Sequence, residues 1–73
     1  MMPKGMTRSH LRNRLLMMRT YRGLTQSELA ELLHVHKNQV ARWESDINRP
    51  TPAMVDRLIE VLSCRRSDLF PLD

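Results

Sequence analysis

Cysteine is nearly missing from this chain. The single Cys64 rules out an intramolecular disulfide, and no cysteine pair supports a zinc site. Long apolar runs are missing too. The longest, Leu15 to Met18, falls far short of the roughly 20 residues a membrane-spanning helix requires. The N-terminal residues lack the apolar stretch of a secretion signal, so a cytoplasmic protein with no membrane partner is expected. Internal repeats and low-complexity segments are absent. With two glycines there is no glycine-rich phosphate loop. The histidines, Cys64 and the carboxylates show neither nucleophile–base spacing nor a metal set. The sequence therefore predicts no enzyme, no cofactor and no bound metal.

Acidic residues are absent up to Leu24, a stretch that holds six basic ones: Lys4, Arg8, Arg12, Arg14, Arg19 and Arg22. The whole chain carries a net charge of +4, which points to a polyanionic partner. Seventy-three residues make one domain with a small core. At 41% hydrophobic and 27% charged, the composition is that of a folded chain and not a disordered one. Residues 1–8, with Pro3, Gly5 and no apolar period, read as a flexible basic arm; residues 9–73 read as the folded domain.

The apolar periodicity is helical throughout, which predicts an all-α fold. The first helix is expected to start after Ser9 as N-cap, to bury Leu11, Leu15 and Met18, and to end at Gly23. Arg12, Arg14 and Arg22 should face water. Thr25 and Glu28 form a T-x-x-E capping box that opens the second helix. Its buried face holds Leu29, Ala30 and Leu33. The rhythm breaks at His34-Val35-His36 and restarts with Val40 and Trp43 pointing inward. Counted from Val40 at roughly 100° per residue, Asn38 lies at about 160° and Arg42 at about 200°, away from the core. Asp46, Asn48, Arg49 and Pro50 stop the third helix, with Asp46 tolerating left-handed backbone. Thr51 and Pro52 start a fourth, with Val55, Leu58, Ile59 and Leu62 on its apolar face and Asp56 and Glu60 on the wet side. A last short helix over about 66–70 should plug the core with Leu69. Cys64 reads as a small core residue. Phe70, Pro71 and Leu72 either close the core or offer a dimer contact.

The stretch Gln26 to Ser45, QSELAELLHVHKNQVARWES, together with Leu24-Thr25-Gln26 before it and Arg42-Trp43-Glu44 within it, resembles the helix-turn-helix of the Xre/Cro class of phage-repressor-like regulators. The likeness runs from about Asn13 to Phe70. It implies a five-helix, lambda-repressor-like DNA-binding domain whose third helix, residues 37–45, lies in the major groove. It also implies that Arg19 pairs with Glu44, that Gln26 meets a phosphate at the start of the second helix, and that Asn48 and Arg49 lie near another. Four positions depart from the family pattern, Asp46 for the common glycine after the third helix, Arg65 for the usual serine cap of the last one, and two in the turn itself. His34 stands where glycine is usual, and His36 stands where serine or threonine usually caps the third helix.

On the outward face of that helix, Asn38 and Gln39 suit the adenine edge, and Lys37 or Arg42 suits guanine O6 and N7. Ala41 is small enough for close approach. His36 is expected to point at the DNA backbone; with His34 it is only half of a metal site. Trp43 is expected in the core and not stacked on a base.

The function predicted is sequence-specific binding of double-stranded DNA and transcriptional regulation, with repression favoured. Lys37, Asn38, Gln39 and Arg42 would read bases, and Gln26, His36, Asn48 and Arg49 would hold phosphates. A homodimer would bind an inverted repeat. The alternative is an antitoxin or accessory protein-interaction module, which would use residues 1–8 or 69–73.

Overall fold

The computed structural model describes residues 14–70. The start of the first helix at Ser9, the buried position of Leu11 and the arm at 1–8 lie outside them, as do Pro71 and Leu72. The elements run α1 (Leu15–Tyr21), α2 (Gln26–Leu33), α3 (Lys37–Glu44), α4 (Pro52–Leu62) and α5 (Arg66–Leu69). Among the described residues the fold is all-α with five helices. No helix among the described residues is long and apolar enough to cross a membrane.

Each helix is bounded by local chemistry. Past the Arg22 C-cap, α1 is closed off by Gly23, whose φ of +74° lies in left-handed space; nothing crowds a Cβ there, so it is backbone conformation and not space that favours glycine. At α2 the expected capping box is complete. Thr25 Oγ1 accepts from the Glu28 N–H at 3.0 Å, and Glu28 Oε1 accepts from the Thr25 N–H at 2.8 Å. Thr51 Oγ1 accepts from the Met54 N–H and Pro52 takes the first helical position of α4. Three non-glycine residues, His34, Asp46 and Ser63, hold positive φ among the described residues. His34 and Asp46 are where the sequence placed such turns. Ser63 was not anticipated.

The core draws on all five helices and is chiefly leucine: Leu15, Leu29, Leu33, Leu58, Leu62 and Leu69 are fully buried, with Val40 among them. Burying each contributes roughly 1.5–3 kcal/mol. α2 packs on α3 and α4, while α1 reaches α3 and α5. The Arg14 N–H donates to the Leu69 carbonyl at 2.7 Å, joining the start of α1 to the end of α5. Phe70 is 4% exposed, so it closes the core.

Two expectations need correcting. Arg22 is exposed but does not simply face water. Its guanidinium donates to the Leu62 carbonyl at 2.7 Å and the Ser63 carbonyl at 3.0 Å, covering the C-terminal end of α4, where helix geometry leaves carbonyls without partners. Cys64 is only half-buried beside the core. Partial burial pushes its thiol above the ordinary range, Asp68 adds to this, and Arg22 opposes it. The short α5 forms although Arg65 supplies no hydroxyl cap, because the Asp68 carboxylate accepts from the Arg65 N–H at 2.9 Å.

Candidate nucleic-acid interface

The geometry of α3 follows from what its inner face is fastened to. Val40 is 0% and Trp43 4% exposed, and Glu44 is buried beside them. Glu44 is held by three donors. Arg19 Nε binds Oε2, Arg19 Nη2 binds Oε1 at 3.3 Å, and Gln26 Nε2 binds Oε1 at 2.9 Å. Arg19 Nη1 also donates to the Leu24 carbonyl at 2.7 Å. One buried carboxylate therefore ties the last turn of α1, the first turn of α2 and the last turn of α3 together. The pairing of Arg19 with Glu44 that the family resemblance implied is present.

With that face inside, Lys37, Asn38 and Arg42 are exposed, and Gln39 and Ala41 are half-exposed on the flanks. No acidic side chain stands at 37, 38, 39, 41 or 42. The helix ends at Glu44, one residue short of the expected Ser45, which serves as its C-cap.

The first turn of α3 is set by His36. Its Nδ1 accepts from the Asn38 N–H at 3.1 Å, so this imidazole does what serine or threonine does in the family pattern. An accepting Nδ1 carries no proton, which leaves the ring hydrogen on Nε2 as a donor. Replacing His36 with alanine is expected to cost roughly 1 kcal/mol of stability, and His36→Ser should recover most of it. Urea unfolding of the three proteins checks this; an unchanged midpoint in His36→Ala would show that the cap contributes nothing.

Two open hollows border this turn. The first is lined by Thr25, Gln26 and Ser27 of the α2 entrance and by Lys37 and Asn38 of α3. The N-terminal ends of two helices thus converge on one space beside a lysine, an arrangement that favours an anion. The second is lined by His36 and Gln39, with Arg49, Pro50 and Thr51 from the connection to α4. Six of the eight residues expected at the site therefore fall into two groups, Gln26, Lys37 and Asn38 in one and His36, Gln39 and Arg49 in the other. Asn48 joins the second group through its Oδ1, which accepts from Gln39 Nε2 at 3.4 Å. Arg42 lines neither hollow and projects from the exposed side of α3.

Gln26 differs from expectation in one respect. Its side-chain amide is turned inward to Glu44, so what this position offers outward is backbone. Helix geometry leaves the Gln26 and Ser27 N–H groups without intrahelical acceptors, while the capping box takes up that of Glu28. Among the described residues, no three His, Cys, Asp or Glu side chains cluster as a metal site requires.

A helix-turn-helix family model matches residues 15–69, most of the chain. The chain belongs to the helix-turn-helix family. In this helix-turn-helix protein, α2 and α3 are the two motif helices, and His34 makes the turn between them. Family membership assigns it to DNA-binding transcription regulators. No curated protein gives a significant match.

Some members of the site escaped the sequence reading. Phe70 lies beneath Arg49, with the guanidinium carbon 5.0 Å from the ring centroid. Thr25 and Ser27 line the first hollow. The capping box predicted the conformation of Thr25. Nothing local signalled the contact of Phe70, which depends on chain segments far apart in sequence.

Proposed function

We propose that this chain binds double-stranded DNA sequence-specifically and regulates transcription by occupancy, with repression as the outcome. α3 enters the major groove. Lys37 and Arg42 read guanine O6 and N7, and Asn38 and Gln39 read adenine. The backbone N–H groups of Gln26 and Ser27 take one phosphate at the α2 entrance. His36, through Nε2–H, together with Asn48 and Arg49, takes another. The observation that carries this reading is the fixed orientation of α3: Val40, Trp43 and Glu44 are buried, and Asn38 and Arg42 face outward.

Two copies bound as a homodimer place their recognition helices roughly 34 Å apart, one turn of the duplex. Selection from a random duplex library is therefore expected to enrich an inverted repeat with half-sites of that spacing. Failure to enrich any site, with no salt-dependent duplex binding, would reject the reading in favour of a protein-interaction module. Asn38→Ala leaves the Asn38 N–H available to the His36 cap. It should relax one base-pair preference in each half-site, at roughly 1–3 kcal/mol. The same selection run on the variant would dismiss this role if every preference survived.

A further inference from the structure

We propose that Asn48 is a positioning residue for Gln39, so that the α3–α4 connection, and not α3 alone, sets how sharply the chain discriminates at one base pair. This rests on the reading above, in which Gln39 meets a base and Asn48 a phosphate. Gln39 lies in the first turn of α3 and is half-exposed, while Asn48 is exposed in the connection to α4. Gln39 Nε2 donates to Asn48 Oδ1 at 3.4 Å. The backbone that carries the acceptor is itself tied to α3, because the Ile47 N–H, one residue earlier, donates to the Arg42 carbonyl at 2.9 Å.

The direction of this bond sorts the two carboxamides. A carboxamide nitrogen carries two hydrogens, and its oxygen accepts. With one hydrogen given to Asn48, Gln39 keeps a second N–H and its Oε1. One donor and one acceptor are what the N7 and N6 edge of adenine requires. Asn48, with its oxygen engaged by Gln39, offers two N–H donors, and a phosphate oxygen only accepts. The reverse bond would engage the Gln39 oxygen and free the Asn48 oxygen to stand against the phosphate. A glutamine without such a tie also loses more rotamer freedom when it meets a base.

The test uses the full chain at one salt concentration. Affinities are measured on the duplex selected from a random library and on its variants at the base pair that Gln39→Ala relaxes. Neither side chain belongs to the core, so the substitutions probe the interface and not the fold. Asn48→Ala is expected to weaken binding to all sequences and also to cut discrimination at that base pair by roughly two- to tenfold. Asn48→Asp keeps an acceptor for Gln39 but removes both phosphate donors, so affinity should fall everywhere while the preference stays at its wild-type level. In a Gln39→Ala background, Asn48→Ala should lower affinity for every sequence alike and change no preference further. An unchanged preference in Asn48→Ala would overturn the proposal, leaving Asn48 a phosphate ligand only. So would loss of the preference in Asn48→Asp. A further loss of preference from Asn48→Ala when residue 39 is already alanine would overturn it too, since Asn48 would then act on that base pair without Gln39. If Gln39→Ala relaxes no base pair, the assignment of Gln39 falls and this proposal with it, while the rest of the binding mode stands. A wild-type chain that enriches no site would instead remove the DNA-binding reading itself.

Discussion

Arg19→Ala is expected to destabilise the domain by roughly 3 kcal/mol, one of the largest effects available from a single polar side chain here. Arg19 and Glu44 are each 8% exposed. Whether the intact pair stabilises more than two apolar residues would is a separate matter, since taking both charges out of water is itself costly. Removing one partner is different. The Glu44 carboxylate would stay buried with only Gln26 as donor, and the Leu24 carbonyl would lose the Nη1 hydrogen bond. In a domain of this size each kcal/mol shifts Tm by roughly 4–8 °C, so a fall of roughly 12–24 °C should appear in a calorimetric melt. A Tm within a few degrees of wild type would mean that the pair carries little of the fold.

Trp43→Ala is expected to cost still more, roughly 3–5 kcal/mol. The indole is nearly fully buried and belongs to the same core as Val40, Leu29 and Leu33. For a chain of this length, total stability is on the order of 4–11 kcal/mol, so the loss takes a large share of it. The variant should unfold at much lower urea than wild type, with duplex binding falling in step with the folded fraction. Trp43→Phe should retain a cooperative transition, because the aromatic ring still fills part of the space. If Trp43→Ala unfolded at the wild-type urea concentration, the anchored face of α3 would not be what orients Asn38 and Arg42.

What was legible in the sequence was whatever local chemistry controls. The Thr25–Glu28 box, Gly23 at the end of α1 and Thr51-Pro52 at the start of α4 each act within one turn of helix, and each stands where it was placed. The inward set Leu29, Leu33, Val40 and Trp43 followed from periodicity because burial is a property of helix faces. The Arg19–Glu44 pair was legible only through family resemblance, since 25 residues separate the partners. The other cross-chain contacts had no such guide. Arg22 reaches carbonyls 40 and 41 residues away, Gln39 meets Asn48, and Arg49 covers Phe70. Polar side chains on exposed faces carry no period that records where they turn. The cap at His36 was missed for a different reason: imidazole is an uncommon N-cap, and only the ring's orientation shows Nδ1 aimed at the Asn38 N–H.

The two fastenings of α3 have a mechanical consequence. His36 secures its first turn and the shared Glu44 carboxylate its last, so the helix is held to the scaffold at both ends. In the binding mode proposed above, accommodation would fall on the duplex, which would bend or adjust its groove width to meet a firmly held helix. Base steps outside the proposed contacts would then influence affinity through their stiffness.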